Sequence, residues 1–431
     1  MIKLSRYSQS ENHLQKAERL IPLGSQTFSK SKTQYPVGIS PFYLKKAKGS
    51  HVWDLDNNKY IDLVNSLAAI TLGYGIPKLN KAAMKQLKSG TIYSLPGTLE
   101  YEVSVQLVNL IPSAEMVRFG KNGSDVTSAA IRIARAYTNR EHIAVCGYHG
   151  WQDWYIGSTT RNKGVPKSVS ELTHSFLYNK IETLKEIFSK YPNQVAAVII
   201  EPMNNEYPQP YFLEEIRNLC NKETAVLIFD ETITGFRFSK GGAQEVFNVT
   251  PDLSTFGKGI ANGFPLSALV GKSEIMKEIE NVFYSGTFAG DLLSLAVAKE
   301  VLIMHENNLV AETLIDIGTS LSEKVESVID QTGMNHVLKL SGHPTWRFLN
   351  WSSINNISIQ ELKTYFMQEI FARGLLLLGT HNVSTAISDK DISRIVSIYQ
   401  DVLSDMCKFI ENGTLQAKLK VKPLEPIFKV R

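Results

Sequence analysis

Cysteine is scarce in this chain of 431 residues, which contains only Cys146, Cys220 and Cys407. An odd number at such wide spacing argues against a disulfide framework and against a zinc site made of cysteines. A reducing, cytoplasmic compartment is therefore expected. The chain also lacks a run of roughly 18 apolar residues, the length that a membrane-spanning helix needs. Residues 1–24 have no long apolar core and carry two glutamates, so we expect neither a secretory signal nor a transit peptide.

Charge of one sign is not concentrated anywhere. The formal net charge is only +4, and no basic run with interleaved aromatic residues marks a nucleic-acid face. We therefore expect no nucleic-acid and no membrane partner. Fixed-period repeats are missing, which excludes solenoid architectures. Neither G-x-x-x-x-G-K nor G-x-G-x-x-G occurs, which argues against a P-loop and disfavours a nicotinamide dehydrogenase.

Short apolar runs alternate with helical segments between about residues 115 and 290. The runs are rich in Val, Ile, Leu and Phe, as strands buried on both faces should be. They are EMVRFG, HIAVCGY, VAAVIIEP, AVLIFDE and LSALVGK. This alternation predicts an α/β unit with a largely parallel sheet.

The two ends of the chain have a different pattern. HVWDLDNNKYIDLV (51–64) predicts a hairpin around the turn-forming residues 56–58, and HPTWRFLNW (343–351) resembles it. A short amphipathic helix that stops at Pro22 and Gly24 is predicted near the start, with apolar residues at Leu14, Ala17, Leu20 and Ile21. We expect an N-terminal segment over 1–60, a large domain over 61–310, and a small domain over 311–431 that packs with the N-terminal segment.

Ligands of such sheets bind beyond the carboxyl ends of the strands, so those ends are where chemistry is expected. After VRFG, the residues Asn122–Asp125 open a helix. Ser124 or Asp125 can cap it; alternatively its free N–H groups, with Gly123 allowing close approach, can hold a phosphate.

Aromatic residues follow the next strand at once. Tyr148, His149 and Trp151 are either ordinary packing residues or a platform for a planar heteroaromatic ligand. His149 has no other ligand-type residues nearby, so no metal site is expected.

Carboxylates end two further strands: Glu201 in one, Asp230 and Glu231 in the other. A buried carboxylate is costly unless a cation or hydrogen bonds meet it. Three roles are possible for these carboxylates: a helix cap, a salt bridge to Arg237, or a contact with a protonated ring nitrogen.

A single lysine, Lys258, lies between two glycines in STFGKGIANG. Most lysines are solvated surface charges. Together, however, a phosphate cradle, an aromatic face, a carboxylate and this amine are the four contacts that pyridoxal 5′-phosphate (PLP) requires of a protein. The sequence therefore predicts PLP as cofactor.

The motifs LIFDETITGFR and FGKGIANGFPLSALVG resemble those of the class III, fold-type I PLP-dependent aminotransferases. KNGSDVTSAAIRIARA, GYHG and SGTFAGDLLSLAVA are most similar to the glutamate-1-semialdehyde 2,1-aminomutase-like branch. The resemblance spans nearly the whole chain and is dense from 115 to 290. It implies a fold-type I PLP-transferase of the α/β class: a large domain with a mostly parallel seven-stranded sheet covered by helices, and a smaller α+β domain built from both chain ends.

Carried over by position, the resemblance implies Lys258 as the Schiff-base lysine and Asp230 as the partner of the pyridine nitrogen. Gly123 and Ser124 would hold the phosphate. Tyr148 would stack on the ring.

Four further residues are placed near the cofactor by the same comparison. Thr232 would lie against the other face of the ring, and His149 is placed among the cofactor contacts. Glu201 would have a supporting role. Thr287 would reach the phosphate of the neighbouring subunit, which implies a homodimer with shared active sites.

Substrate contacts differ from those of the true aminomutases. Lys30 stands where they offer an arginine to a substrate carboxylate, and His381 and Asn382 stand in the region of their active-site glutamate. A lysine cannot form the planar two-point clamp of an arginine. Trp151 is a further substrate candidate. We expect an aminotransferase that moves an amino group between a small amino donor and a carbonyl acceptor, with the 2,1-aminomutase and a catalytically idle PLP-binding protein as alternatives.

Overall fold

A computed structural model describes residues 5–307 and 309–425. Contacts divide them into two compact units. We call residues 77–307 with 309–312 the central unit, and residues 5–76 with 313–425 the terminal unit. The domain boundaries that the sequence suggests, at residues 60 and 310, stay a prediction beside this division.

The strands, in chain order, are β1 (Leu44–Lys48), β2 (His51–Asp54), β3 (Lys59–Asp62), β4 (Met116–Gly120), β5 (His142–Cys146), β6 (Thr173–Ser175), β7 (Val195–Ile200), β8 (Val226–Asp230), β9 (Leu253–Phe256), β10 (Ser267–Gly271), β11 (Leu338–His343), β12 (Trp346–Trp351), β13 (Leu375–Leu376) and β14 (Thr380–Asn382).

The central unit is built on one seven-stranded sheet, in the order β4-β10-β9-β8-β7-β5-β6. The pairs β5/β6, β5/β7, β7/β8 and β8/β9 are parallel, whereas β10 is antiparallel to both of its neighbours. Every residue of β7, β8 and β9 is buried, because helices cover both faces of the sheet. The mostly parallel seven-stranded sheet is confirmed.

Helices account for most of the remaining regular structure. They are Ser8–Ala17, Pro77–Leu87, Thr98–Leu110, Gly123–Thr138, Asp153–Ile156, Lys167–Ser170, Ile181–Lys190, Phe212–Glu223, Ala243–Val246, Ser273–Met276, Leu292–Asn307, Val310–Gln331, Ile359–Ala372 and Asp389–Glu411. Among the residues that the structure describes, no helix is at once long and apolar enough to cross a membrane.

The helix Gly123–Thr138 fixes the edge of the sheet where the site lies. Its apolar face, which includes Val126, Ala130 and Ile133, packs in one core cluster with β5, β7 and β8. Asp125 accepts hydrogen bonds from the N–H groups of Lys121 and Asn122 and so completes the helix start. Asp125 is thus the N3 residue of a capping box, and Asn122, rather than Ser124 or Asp125, has the N-cap position.

The terminal unit contains two smaller sheets, β1-β2-β3-β13 and β11-β12-β14. The predicted hairpins are confirmed, because β2 pairs with β3 and β11 pairs with β12, both antiparallel. The N-terminal helix ends at Ala17, before the predicted stop. Leu20 is 87% exposed and does not belong to an apolar helix face, since the chain leaves the helix through a turn in which the N–H groups of Leu20 and Ile21 both bond to the Ala17 carbonyl.

Candidate active site

Asp230 ends β8 and is 5% exposed. Its Oδ2 lies 2.9 Å from His149 Nδ1, and its Oδ1 accepts hydrogen bonds of 3.1 Å from the Thr232 N–H and the Thr255 hydroxyl. Burial acts to raise the pKa of this carboxyl. The hydrogen bond and charge of His149, with bonds from Thr232, outweigh burial and bring the pKa below its ordinary value. Asp230 is therefore a buried carboxylate that stays ionised.

His149 is the imidazole that contacts the Asp230 carboxylate. Its ring is 1% exposed, and its Nε2 lies 3.1 Å from the carbonyl oxygen of Cys146, which can only accept. The second nitrogen faces the Asp230 carboxylate. Both ring nitrogens thus face acceptors, so a proton also lies between Nδ1 and Asp230 Oδ2. The Thr127 hydroxyl donates to the His149 carbonyl at 2.9 Å and fixes the backbone behind the ring.

Lys258 begins a short 3₁₀ turn, Lys258–Ala261, directly after β9. Its φ of 42° lies in the left-handed region, which is uncommon for a residue with a side chain and is retained where surrounding structure enforces it. Burial lowers the pKa of its amine to about 8, although the charges of Glu201 and Asp230 act to raise it. Among the described residues, none forms an ion pair or hydrogen bond with its Nζ.

Thr232 is enclosed by glycines from two segments. A Cβ on Gly123 would meet its Cγ2 and Oγ1 at 3.3 Å, and a Cβ on Gly257 would meet its Cγ2 at 3.2 Å. Both distances are tighter than ordinary side-chain contacts. The glycines thus let the helix start and the lysine loop approach Thr232 together. Ser124, also at that helix start, is buried, and its Oγ lies 3.4 Å from the Trp151 N–H.

Tyr148 follows β5 and is 50% exposed. Its N–H donates to Glu201 Oε2 at 2.9 Å, and the Asn204 amide donates to the same oxygen at 2.8 Å. Burial and the charge of Asp230 raise the pKa of Glu201, against the opposing effect of His149 and these hydrogen bonds. Glu201 therefore holds the backbone under Tyr148. Trp151 is mainly exposed.

Glu231 has the role of a helix cap. Its two oxygens accept the N–H groups of Ala243 and Gln244 at 2.8 and 2.9 Å, with a further hydrogen bond from the Thr234 hydroxyl. The two adjacent carboxylates thus serve different partners, Asp230 an imidazole and Glu231 a helix start. Of the three readings of these carboxylates, the cap describes Glu231.

Thr287 lies in an exposed loop of the central unit. With Gly120, Lys121 and Asp125 it lines a cavity of about 390 Å³. Among the described residues, those bonded to Asp230 do not include Thr287. The structure brings Lys258, Asp230, His149, Glu201 and Thr232 into one group of the central unit and leaves Thr287 outside it.

The terminal unit holds the other substrate candidates. Lys30 is exposed, and its Nζ lies 3.4 Å from the Ser66 hydroxyl. Ser66 belongs to a turn, residues 65–68, in which four consecutive non-glycine residues have φ between 46° and 66°. Such a run is strained, and backbone strain of this kind gathers at functional sites.

His381 and Asn382 are both buried in the terminal unit. His381 is 0% exposed, and its Nε2 lies 2.7 Å from the Tyr399 hydroxyl. The Asn382 side-chain amide donates to the Val64 carbonyl, and the backbone carbonyl of Asn382 accepts from the Asn65 side-chain amide. Both side chains are enclosed in the terminal unit, where Asn382 ties β14 to the strained turn. The substrate role suggested for them stays a prediction.

Three features of this structure match what PLP requires of its binding site. The central unit contains an ionised buried carboxylate and a glycine-lined approach to the first turn of a helix. It also contains a lysine amine that has no partner among the described residues. The first N–H groups of a helix have no carbonyl of that helix to bond, and they favour a phosphate.

The family model "Aminotransferase class-III" matches residues 34–402. The chain belongs to the class III aminotransferases. A 3-aminobutyryl-CoA aminotransferase of Cloacimonas acidaminovorans is 32% identical over 419 residues, covering 95% of this chain and 99% of that protein. A glutamate-1-semialdehyde 2,1-aminomutase of Acetivibrio thermocellus is 36% identical over 414 residues, covering 89% and 95%.

Solved structures of a PLP-containing protein and of a transaminase share the fold. The PLP internal aldimine form of the FumI protein of Sphingopyxis sp. MTA144 superposes with a TM-score of 0.88 at 25% identity, covering 96% of this chain and 99% of that one. An omega-transaminase of Sphaerobacter thermophilus gives 0.84 at 25% identity, covering 92% and 97%. This class III aminotransferase has the fold-type I architecture and uses PLP, as its sequence predicts.

The sequence did not predict the hydrogen-bond partners of the two carboxylates, Asp230 and Glu231. The pairing of His149 with Asp230, the Thr255 hydroxyl on the same carboxylate, and the separate role of Glu231 all depend on contacts distant in sequence. Only the position of His149, three residues after a buried strand, carried a signal.

Proposed function

We propose that this enzyme moves an amino group between a small amino donor and a carbonyl acceptor, with PLP held by Lys258 as a Schiff base. The observation that carries the proposal is the amine of Lys258. It has a pKa of about 8, has no ion-pair partner among the described residues, and lies in a strained turn near the ionised Asp230. A solvated surface lysine would keep an ordinary pKa of about 10.5.

The cofactor would be held by residues of the central unit. The N–H groups at the start of helix Gly123–Thr138, with the Ser124 hydroxyl, would bind the phosphate. Tyr148 would cover one face of the ring and Thr232 the other. Glu201 supports Tyr148 through its backbone.

Asp230 would face the pyridine nitrogen. An ionised carboxylate stabilises a proton on that nitrogen, and His149 keeps Asp230 ionised through its own charge and hydrogen bond. When bound, PLP supplies a protonated ring that accepts the electron pair of the Cα–H bond of the substrate. A ring without this proton would accept the electron pair less well. The Asp230–His149 pair would therefore control how strongly the cofactor withdraws electrons.

Lys258 would act twice. It would hold the cofactor. Once free, its Nζ would accept a proton from the substrate carbon and return it, as general base and acid. A pKa of about 8 leaves roughly a tenth of this amine neutral near pH 7, whereas an ordinary lysine is almost fully charged.

The substrate class is open to a direct test. Lys30 in place of an arginine favours intermolecular transfer over the aminomutase reaction. We propose incubating the PLP-loaded enzyme with glutamate 1-semialdehyde and no second substrate. In parallel, a panel of amino donors and 2-oxoacid acceptors should include a 3-aminoacyl-CoA, because a relative matched over nearly its whole length is named for one. Formation of 5-aminolevulinate at a rate above that of any donor pair would favour the 2,1-aminomutase instead.

An absorbance measurement tests the alternative that the protein binds PLP without catalysing a reaction. Conversion of the PLP absorbance to that of the aminated cofactor, on mixing with donors, would support catalysis. A spectrum unchanged by every donor would favour a PLP-binding protein without activity.

A cytoplasmic homodimer with shared active sites completes the proposal. Around Thr287 the central unit exposes large apolar side chains: Leu95 is 79% exposed and Phe288 62%. Exposed apolar groups of this size are typical of interaction surfaces. Mixing Lys258→Ala chains with Thr287→Ala chains tests the sharing, because only hybrid dimers would contain one site with both residues intact. Activity that stays at the sum of the two parents would contradict it.

A further inference from the structure

Thr255 is a buried hydroxyl residue beside the Asp230 carboxylate. It belongs to β9, in which every residue is buried, and it is itself 0% exposed. In the parallel pair of β8 and β9, Thr255 lies directly opposite Asp230. Side chains of directly opposed residues point to the same face of a sheet. The Thr255 hydroxyl therefore reaches Asp230 Oδ1, to which it donates at 3.1 Å.

A hydroxyl is not what the strand itself requires at this position. Buried strands favour β-branched apolar residues, and valine has the shape of threonine without the polar group. Ser254, the preceding residue, points to the opposite face, where its hydroxyl lies 2.9 Å from that of Ser113 and accepts from the Gln244 amide at 3.1 Å. Among the described residues, Asp230 is the one hydrogen-bond partner of the Thr255 hydroxyl. The hydroxyl therefore acts on that carboxylate.

The hydrogen bonds of Asp230 divide unequally between its two oxygens. An ionised carboxylate offers about four lone-pair sites, shared equally by its oxygens. Oδ1 accepts from the Thr255 hydroxyl and from the Thr232 N–H, both at 3.1 Å, so its sites are filled. Oδ2 has the His149 ring at 2.9 Å and, in the described part of the chain, no other donor. Oδ2 therefore keeps a lone pair for a ligand.

We propose that Thr255 is a positioning residue, which fills Oδ1 of Asp230 so that the ring N–H of PLP meets Oδ2, the oxygen that also contacts His149. The inference rests on the proposed function, in which Asp230 faces the pyridine nitrogen. The ring proton and the proton of His149 would then share one oxygen. Thr255 would also act on charge, because a donor to the ionised form of a carboxylate stabilises that form and leaves the proton on the ring.

Nitrogen NMR of the enzyme loaded with ¹⁵N-labelled PLP tests the proposal. Thr255→Val removes the hydroxyl and keeps the shape of the side chain. Its ring ¹⁵N signal should move from the wild-type position toward that of an unprotonated pyridine nitrogen, because a more basic Asp230 draws the proton away. The rate of amino transfer at saturating donor should fall by about tenfold, with the donor KM changed by less than about twofold.

A conservative variant and a matched control separate positioning from packing. Thr255→Ser restores the donor and should return the ring signal to its wild-type position and the rate to within about twofold of wild type. Ser254→Ala removes a buried hydroxyl of the same strand that points to the other face, and it should leave the ring signal unchanged. A ring signal in Thr255→Val identical to that of wild type would overturn the proposal. A shift of equal size in Ser254→Ala would also overturn it, because the effect would then come from loosening the strand.

A measurement without cofactor separates this inference from the catalytic proposal. In the PLP-free enzyme, the ¹⁵N signals of the His149 ring are identified among those of the nine histidines by their loss in His149→Asn. Thr255→Val should shift the Nδ1 signal, because a more basic carboxylate pulls the shared proton away from the ring, and Thr255→Ser should not. An unmoved Nδ1 signal in Thr255→Val would contradict the action of Thr255 on Asp230. This signal is read whether or not PLP binds, so failure of the proposed function is not confused with failure of this inference.

Discussion

The low pKa of Lys258 has a cost in stability that can be measured. The amine has a pKa of about 8 in the folded chain against an ordinary 10.5. Each tenfold difference in ionisation constant is worth about 1.36 kcal/mol, so burying this amine costs the PLP-free chain roughly 3 kcal/mol at pH 7. The unfolded chain binds more protons between the two pKa values. Stability should therefore rise with pH over that window, with the full cost present below pH 8 and none above about pH 10.5.

Lys258→Met removes the charge and keeps most of the side-chain volume. Its free energy of unfolding should exceed that of the PLP-free wild type by up to ~3 kcal/mol at pH 7, and the difference should vanish by about pH 10.5. Denaturant titrations of both proteins at equal chain concentration measure this difference, because other titrating groups and any subunit association cancel. Lys190→Met, at an exposed lysine of the same unit, is the control. Equal stability of Lys258→Met and wild type at pH 7, or a difference that does not change with pH, would refute the reasoning.

Three further substitutions test the cofactor site. Asp230→Asn should lower transamination at least ~100-fold with PLP still bound, since an amide cannot hold the ring proton; activity above a tenth of wild type would contradict the role. His149→Asn should lower the rate by about tenfold and move the acid limb of the pH–rate profile upward, because the pKa of Asp230 rises without the imidazole; an unmoved profile would speak against the pairing. Gly123→Ala should weaken PLP binding by about tenfold in equilibrium dialysis, since the new methyl group meets Thr232 at 3.3 Å. The double variant with Thr232→Ala should recover part of the lost affinity. No recovery would contradict the steric explanation.

Much of the central sheet could be predicted from the sequence, because strands buried on both faces have continuous apolar sequences. β7 and β8 are of this kind. β9 escaped prediction since it contains Ser254 and Thr255. Their hydroxyls are satisfied by Ser113 and Asp230, distant in sequence, so a polar pair lies in a buried strand. β6 has only three residues and too little pattern to recognise.

The site shows the same division between local and distant information. The position of Asp230 at a strand end is local, and it was predicted. That Asp230 and Glu231 serve different partners follows from the alternation of side chains along a strand, which points neighbours to opposite sides. The identity of those partners, His149 and the N–H groups of Ala243 and Gln244, depends on packing over 12 to 81 residues of chain. The contact of His381 with Tyr399 was not evident from the sequence either, because nothing local shows whether a polar residue is turned into the core.

Borohydride reduction of the PLP-loaded enzyme, followed by peptide mapping, tests the central claim most directly. The account predicts a pyridoxyl group on the peptide that contains Lys258, in a yield close to one per chain. A label on another lysine, or none after PLP has been supplied, would contradict it.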